Sequence, residues 1–395
     1  MHSNEFYPVL APDHTLRNLE APFVYNIPDD QLYELDDEAF EFLKKCDGNT
    51  PFPLSFPGAE SDKETIDFML DEGIILMQDS SHPRKIKVER SPIPSLRYLL
   101  LNITNKCNLA CKHCYLGKSG NIDIEVSRFE KTVSQFESMG GLKLMISGGE
   151  PLMHSGFWEL MEILPSYELR KVILSNGTLI GKKEAKKLSE YMDEVQVSID
   201  GISSHDILRG KGSYEKAMRG VANLQSFNIP VSIATMAHKR NAEEFDEMQK
   251  LFSDMNIISW SVDVPCMVGN LKNNQDLMLD LKEAASHLSY GFGAGAHEST
   301  GNYTCGSHLC AVSPDGTVSK CGFFEDEPVG NVDDLRAAYV NLCKDYLWTL
   351  DKLDCHDCKV IHDCRGGCRF RARQYGGILA PDPLLCHANG VLTYL

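Results

Sequence analysis

The feature that most constrains this chain is the grouping of its cysteines. Of 395 residues, fourteen are cysteine; three lie within residues 107–114, and eight form a patterned set within residues 305–386. Disulfides are uncommon in a reducing compartment, and the first residues lack the basic and apolar segments of a secretory signal. Clustered thiols in such a chain predict metal binding. The cysteines outside both groups, expected to be ordinary buried thiols, are Cys46, Cys266 and Cys343.

The first cysteine group reads CNLACKHC and directly follows the apolar segment LLLNIT. Three thiolates on one tight loop can each bind one iron of a cubane cluster, which leaves the fourth iron free to bind a small molecule. The alternative is a zinc knuckle with His113 as the fourth ligand. Because His113 is adjacent to Cys114, the two fit tetrahedral coordination poorly, and an iron–sulfur cluster at Cys107, Cys111 and Cys114 is favoured.

Strand-like and helix-like segments alternate from residue 96 onward, which predicts right-handed βαβ units and a parallel sheet. Catalytic groups of such sheets lie in loops at the carboxyl ends of the strands. The predicted strands are residues 98–103, 142–147, 171–175, 194–199, 230–235 and 257–264. The predicted helices are residues 124–138, 156–164, 182–191, 213–226 and 241–254.

Polar motifs follow successive predicted strands. The second strand ends in SGGEP at residues 147–151, the third in SNG at 175–177, and the fourth in SIDG at 198–201. Glycines allow close approach of the backbone to a ligand, and the carboxylate of Glu150 suits an ammonium group. An isolated SNG is more often a plain turn. What indicates a binding site is that a polar motif follows each of three successive predicted strands.

These motifs resemble those of the radical S-adenosylmethionine (SAM) superfamily. Its signature, C-x3-C-x-aromatic-C, follows the first strand of a partial (β/α)6 barrel, and His113 here fills the aromatic position. The resemblance, over residues 96–290, implies that the glycines and Glu150 receive the SAM amino group and that the later strand ends contact its ribose and carboxylate. The implied SAM-binding residues are Gly148, Gly149, Glu150, Ser175, Asn176, Ser198, Asp200, Arg209 and His113.

The resemblance also implies the reaction. A reduced [4Fe–4S] cluster donates one electron to SAM, which splits into methionine and a 5′-deoxyadenosyl radical that abstracts a hydrogen atom from an unactivated carbon. The protein positions the cofactor and excludes water. No catalytic acid or base can be assigned from the sequence.

The second cysteine group resembles the SPASM domain, which carries two auxiliary [4Fe–4S] clusters. Gly316 precedes Cys321 by five residues, and C-x2-C-x5-C-x3-C is followed by a distant cysteine. The interleaved family pattern implies one ligand set of Cys305, Cys310, Cys321 and Cys368. It implies a second set of Cys355, Cys358, Cys364 and Cys386. The alternative is two structural zinc sites. Some family members leave one iron of the first auxiliary cluster open, which leaves the role of Cys310 undecided.

Residues 1–79 are expected to form a small α+β domain. A hairpin around residues 28–30 precedes a helix capped by Asp36 or Asp37, a second helix opening at Ser61 and a strand at 74–77. This order resembles the winged-helix peptide-recognition domain of peptide-modifying SPASM enzymes. The alternatives are a structural extension or a DNA-binding winged helix. Linkers are predicted at residues 80–95 and 291–304, which leaves 96–290 for the barrel and 305–395 for the SPASM domain.

The net charge of −17 disfavours a nucleic-acid partner, because phosphate binding requires a basic excess. No apolar run is long enough to span a membrane, and we expect a cytoplasmic protein.

The domain combination predicts a maturase of a ribosomally made precursor peptide (a RiPP maturase) that binds a leader segment and forms a carbon–sulfur or carbon–carbon crosslink. An electron donor such as flavodoxin or ferredoxin is expected. Alternatives are an enzyme acting on a tetrapyrrole side chain, a maturase of the anaerobic sulfatase type, and a metal-stabilised binding module.

Overall fold

The computed structural model describes residues 6–52, 63–293, 301–304 and 306–391. The chain divides into two compact units. The first comprises Met1–Arg97, Ser134–Leu142 and Ser166–Arg170. The second comprises Tyr98–Val133, Lys143–Pro165 and Lys171–Leu395. None of the helices in the described ranges is both long and apolar enough to cross a membrane.

The first unit contains a three-stranded antiparallel sheet in the order β2-β3-β4 and a separate antiparallel pair, β1-β5. Its elements are β1 (Tyr7–Leu10), β2 (His14–Asn18), β3 (Pro22–Asn26), β4 (Gln31–Glu34), α1 (Asp37–Leu43), α2 (Lys63–Asp71) and β5 (Ile75–Gln78). Helix α1 begins after Asp36, whose carboxylate accepts a hydrogen bond from the Ala39 backbone nitrogen at 2.7 Å. The apolar faces of these elements form one buried core that includes Leu16, Phe40 and Ile75.

The predicted hairpin, the first helix and the last strand of this unit are present. Strands β1 and β2 were not predicted, because both are short and almost wholly buried and so lack the apolar–polar alternation of a half-exposed strand. Ser61 lies outside the described residues, and the winged-helix likeness stays a prediction.

The predicted linker at residues 80–95 forms no helix in the structure but is tied to the rest of the first unit. Arg84 donates to the backbone carbonyl of His14 and pairs with the Glu168 carboxylate, both at 2.7 Å. Residues 166–170 therefore belong to this unit although they lie far along the chain.

The second unit is built on a nine-stranded sheet in the order β11-β10-β9-β8-β7-β6-β12-β13-β14. Its strands are β6 (Tyr98–Thr104), β7 (Lys143–Gly148), β8 (Arg170–Ser175), β9 (Glu194–Ser198), β10 (Val231–Met236), β11 (Ser259–Asp263), β12 (Leu309–Val312), β13 (Thr317–Ser319) and β14 (Gly330–Asn331). The helices from the barrel are α3 (Val126–Ser138), α4 (Phe157–Ile163), α5 (Lys182–Leu188), α6 (His205–Arg209), α7 (Ser213–Gln225), α8 (Phe245–Ser253) and α9 (Leu281–His287). Those that follow are α10 (Leu335–Tyr346), α11 (Ile361–Cys364), α12 (Arg369–Tyr375) and α13 (Pro383–Ala388).

Strands β6 to β11 correspond to the six predicted strands, and the predicted α/β fold with a parallel sheet is confirmed. Leu99, Leu144 and Val197, on three different strands, are fully buried, as expected for strands covered on both faces. Because the strands run in parallel, their carboxyl ends and the polar motifs that follow them lie at the same edge of the sheet.

The cysteine-rich part is more regular than its sequence suggests. Strand β12 pairs in parallel with β6, and β13 and β14 extend the sheet further in antiparallel fashion. A helix of 12 residues, α10, follows. These strands have two to four residues each, too few for a periodic pattern to be recognised in the sequence.

Candidate active site

The loop that carries the first cysteine group leaves the carboxyl end of β6 and is fixed by neighbouring segments. The Lys112 nitrogen donates to the Leu208 carbonyl at 2.9 Å, and the Asn270 side-chain amide donates to the Cys111 carbonyl at 3.0 Å. Cys111 is buried, whereas Cys107 and Cys114 are half-buried. The loop is therefore held in place by its backbone, which leaves the thiols available as ligands.

Two glycines permit the close approach of β7 to this loop. A Cβ atom at Gly148 would lie 2.2 Å from the Thr104 carbonyl oxygen, and one at Gly149 would lie 2.3 Å from the Lys106 carbonyl oxygen. The nitrogens of Gly149 and Glu150 donate to these two carbonyls, both at 2.8 Å. The glycine pair is thus required sterically where the strand end meets the cysteine loop.

Glu150 is fully buried and oriented by its neighbours. Its carboxylate accepts hydrogen bonds from the Ser175 hydroxyl and the Asn176 backbone nitrogen, both at 2.8 Å. Burial raises the pKa of Glu150 to about 7, although these bonds and Arg209 oppose the rise. A buried carboxylate of this kind is stabilised by a cation, so its environment fits the SAM ammonium group.

Asp200 and Arg209 form a buried ion pair beside the cysteine loop. Burial acts to raise the pKa of Asp200, but the charge of Arg209 and the hydrogen bonds from Arg209 and the Met236 nitrogen together hold the pKa well below its usual range. His113 lies 3.7 Å from Asp200, and burial lowers the pKa of His113 to about 4, so its neutral ring does not form an ion pair. Arg209 also interacts electrostatically with Cys111 and Cys114, which places it at the centre of the site.

Several buried nitrogens around this pair have no hydrogen-bond partner in the described structure. They are Nδ1 of His113, Nε2 of His205 and Nε2 of His238. Buried polar atoms without partners are uncommon, and at a site they are consistent with a polar ligand. Together with Glu150, they fit a zwitterionic ligand such as SAM.

The remaining predicted SAM contacts lie at the ends of β8 and β9. The Asn176 amide donates to the Asn108 side chain at 2.9 Å, and its oxygen accepts from the Thr178 nitrogen at 2.9 Å. This links the third strand end to the cysteine loop. Ser175 binds Glu150, and Ser198 is half-buried at the end of β9.

The three thiols of the loop lie near one another. Each of Cys107 and Cys111 interacts electrostatically with Cys114. In the described ranges, no three His, Cys, Asp or Glu side chains converge tightly enough to hold one metal ion. In a cubane each thiolate binds a different iron, so the donor set Cys107, Cys111 and Cys114 suits a cluster with one free iron.

The structure brings together four cysteines of the second group. They line one small cavity, and Cys386 interacts electrostatically with the other three. Burial raises the pKa of Cys386 to about 11, so a thiolate there requires nearby positive charge of the kind that iron supplies. The four are Cys355, Cys358, Cys364 and Cys386, the predicted ligands of the second auxiliary cluster.

The other predicted set is not brought together in the same way. Cys321 and Cys368 share one buried cluster, but Cys310 is buried on β12, where its electrostatic partners are Lys320 and Cys343. Cys305 lies outside the described residues. Cys266, which belongs to neither sequence pattern, packs with Cys321 and Cys368.

A cavity of about 530 Å³ opens next to the first cysteine loop, and Glu325 lies in its wall. Burial raises the pKa of Glu325 to about 7, and the charges of Asp326 and Asp315 add to the rise. The Asn102 amide donates to Glu325 at 3.4 Å. Sequence reasoning missed Glu325, because it stands in the acidic run EDE without a recognisable motif.

Residues 101–252 match the Radical SAM superfamily. Over 347 residues the chain is 25% identical to the AdoMet-dependent heme synthase of Oleidesulfovibrio alaskensis, covering 74% of this chain and 87% of that protein. Over 161 residues it is 34% identical to the mycofactocin maturase MftC of Mycolicibacterium smegmatis, covering 39% of this chain and 41% of that protein. Streptococcus suis SuiB, solved with its precursor peptide SuiA, has the same fold, with a TM-score of 0.70 at 14% identity over 95% of this chain and 98% of SuiB.

The strand-end site and this match define residues 101–252 as a radical SAM domain, the part of this enzyme that uses a [4Fe–4S] cluster and SAM. Within that superfamily it is related both to peptide maturases and to haem synthases.

Proposed function

We propose that this enzyme binds a ribosomally made precursor peptide and joins two of its side chains by a carbon–sulfur or carbon–carbon bond. The observation that carries the proposal is the exposed edge of the three-stranded sheet in the first unit. The likeness to SuiB supports it, because a fold shared over 95% of the chain includes most of that unit.

Strand β4 is the accessible edge of this sheet. In the described part of the chain it pairs only with β3, and its end residues Gln31 and Glu34 are exposed, whereas β2 at the opposite edge is almost wholly buried. An exposed edge offers unpaired backbone groups to an extended peptide. A leader segment therefore adds to the sheet as a strand alongside β4.

Apolar and acidic side chains adjoin this edge. Tyr33 on β4 makes an edge-to-face contact with Phe68 on α2 at 6.4 Å, and Phe68 is 48% exposed. Asp29 and Glu34, both exposed, make the same area acidic, whereas Asp30 is paired with Arg170. The leader segment is thus expected to carry an apolar side chain for Phe68 and at least one basic residue.

In the second unit, the chain's own residues bind and orient SAM. Glu150 binds the ammonium group, Arg209 lies beside Asp200 where it can bind the carboxylate, and the glycines at 148 and 149 allow close approach. When bound, the cluster and SAM supply the hydrogen-abstraction chemistry. The electron donor is a small redox protein such as flavodoxin or ferredoxin.

Glu325 is the proton acceptor of the crosslinking step. Joining two side chains after loss of a hydrogen atom releases one proton and one electron. An auxiliary cluster would take up the electron, and the proton requires a base near the reacting carbon. Because the pKa of Glu325 is raised to about 7, its carboxylate is a stronger base than an ordinary glutamate, and it faces the cavity beside the cysteine loop.

Cysteines of the patterned set ligate two auxiliary [4Fe–4S] clusters. The cavity lined by Cys355, Cys358, Cys364 and Cys386 supports this for the second cluster. The predicted domain limits follow from the same proposal, with peptide binding in residues 1–79, SAM chemistry in 96–290 and auxiliary clusters in 305–395.

The test is an anaerobic assay with the reconstituted full-length enzyme, SAM, dithionite and a short peptide encoded beside its gene. We expect peptide binding without SAM, and a product lighter by the mass of two hydrogen atoms when SAM is present. A scrambled leader is the control and should abolish both. Turnover of SAM with no change in any neighbouring peptide would contradict the peptide substrate and leave the enzyme class intact.

A tetrapyrrole side chain is the second candidate substrate. It is favoured by the extent of the match to the heme synthase, which covers 87% of that protein. Addition of an iron porphyrin to the enzyme discriminates the two. A shifted Soret band and a SAM-dependent change in the mass of the porphyrin support the tetrapyrrole, whereas an unchanged spectrum favours the peptide.

A further inference from the structure

Cys266 belongs to neither cysteine pattern, yet it lies beside two predicted cluster ligands. It follows β11 and is 4% exposed. Its thiol is hydrogen-bonded to Cys368, and both pack with Cys321 in a buried cluster that includes Phe324 and Phe370. Three thiols from distant parts of the chain therefore share one apolar environment.

Arg371 holds the segments that carry two of these thiols. Its guanidinium pairs with Asp382 at 3.1 Å and with Asp263, the last residue of β11, at 3.2 Å. It also interacts electrostatically with Cys266 and Cys368. Arg371 therefore ties the segment after β11, which carries Cys266, to the segment that carries Cys368.

Cys310 has different surroundings. It lies on β12 opposite Leu99 of β6 and is fully buried. Its electrostatic partners are Lys320 and Cys343, and neither Cys321 nor Cys368 is among them. The backbone pairing of β12 with β6 fixes Cys310 in this position.

We infer that Cys266, and not Cys310, joins Cys321 and Cys368 as a ligand of the first auxiliary cluster. The inference rests on the proposed auxiliary clusters. The Cys266 thiol loses its proton to solvent, and its sulfur binds one iron without any change of oxidation state.

The experiment uses the full-length chain with Cys107, Cys111 and Cys114 all changed to Ala, so that only auxiliary clusters remain. In this background we compare Cys266→Ala and Cys266→Ser with Cys310→Ala, the matched control. Iron and sulfide are counted after anaerobic reconstitution, and the reduced proteins are studied by electron paramagnetic resonance and Mössbauer spectroscopy. Circular dichroism checks that each variant is folded.

We expect the background protein to bind about eight irons, Cys266→Ala to lose about four and Cys310→Ala to lose none. Cys266→Ser should retain iron with a changed spectrum for one cluster, because serine ligates through oxygen; this readout supports the inference even if the alanine variant folds poorly. Loss of about four irons in Cys310→Ala, with Cys266→Ser unchanged in iron and spectrum, overturns it. A folded background protein that binds no iron refutes the auxiliary clusters themselves and the inference with them.

Discussion

Glu150 shows how a single buried side chain determines what the site can bind. It has no exposed surface, and its oxygens accept hydrogen bonds from Ser175 and Asn176 at the end of β8. Two effects act on it in opposite directions, since burial disfavours the charge while the hydrogen bonds favour it. The positive charge of a bound ammonium group would further stabilise the ionised carboxylate of Glu150.

We therefore expect Glu150→Gln to weaken SAM binding by roughly 10- to 100-fold, the cost of one charge-assisted contact. Isothermal titration of the reconstituted enzyme with SAM measures it. Glu159→Gln, an exposed carboxyl on α4, is the matched control and should bind SAM normally. If Glu150→Gln and Glu159→Gln bound SAM with equal affinity, Glu150 would not be a SAM-binding residue.

The raised pKa of Glu325 predicts a pH dependence of the crosslinking step. A base must be deprotonated to act, so the rate should rise as pH passes through about 7, where the Glu325 carboxyl ionises. Asp326→Asn removes a neighbouring negative charge that contributes to the raised pKa, so it should move this rise to lower pH. Product formation at several pH values, measured by mass spectrometry, provides the profile.

Glu325→Gln should abolish the pH-dependent rise and most of the crosslinked product while SAM cleavage continues. A profile that is the same in the wild type and in Asp326→Asn would exclude Glu325 as the base. A parallel loss of SAM cleavage would instead indicate a role in binding SAM.

At the level of strands and loops, the active site depends on how closely β7 approaches the cysteine loop. Gly149→Ala places a methyl group 2.3 Å from the Lys106 carbonyl oxygen, closer than a real contact allows. The backbone must move, at a cost of about 1–3 kcal/mol in the free energy of unfolding. We expect a lower melting temperature and reduced SAM cleavage.

Gly156→Ala is the control for this substitution, because the nearest atom to its added methyl group, at 3.4 Å, is a flexible carboxylate oxygen of Glu159. It should retain normal stability and SAM turnover. If Gly149→Ala were equally well tolerated, the close approach of strand and loop would not be needed for SAM binding.

A separate prediction concerns peptide binding at strand β4, the exposed edge of the sheet in the first unit. Phe68 is 48% exposed and contacts Tyr33 on β4, so Phe68→Asp should fold but lose an apolar contact with the leader. We expect at least tenfold weaker peptide binding, by analogy with exposed aromatic anchors of other interfaces. Fluorescence anisotropy with a labelled leader peptide measures it, and SAM cleavage without peptide should be unchanged.

Val340→Asp, which alters an equally exposed apolar residue on α10, controls for general effects of a surface charge. If both variants bind the leader as tightly as the wild type, the peptide does not use the β4 edge.

For the whole molecule, the proposal implies three clusters and therefore about twelve irons per chain. Changing Cys107, Cys111 and Cys114 to Ala should remove about four of these and abolish 5′-deoxyadenosine formation. Iron analysis and chromatography of the SAM products measure both quantities. Retained SAM cleavage in the triple variant, or zinc in place of iron, would contradict the assignment.

The local sequence was sufficient to predict the six parallel strands, the cysteine loop and the polar strand ends. Each of these leaves a local signature, such as an apolar run of strand length or a glycine pair before an acidic residue. The four cysteines that line one cavity were also predicted, since their spacing is itself the signal.

Only the tertiary structure placed Glu325, Cys266 and Cys310. Pairing of strand β12 with β6 brings Glu325 close to Asn102, 223 positions away in the sequence. The ion pairs of Arg371 with Asp263 and Asp382 hold Cys266 close to Cys368. Such contacts leave no periodic pattern, because they depend on which distant segments share a sheet or an ion pair. The sequence therefore determined the class of chemistry, the use of SAM and iron–sulfur clusters. The tertiary structure decided which further side chains surround the sites where that chemistry takes place.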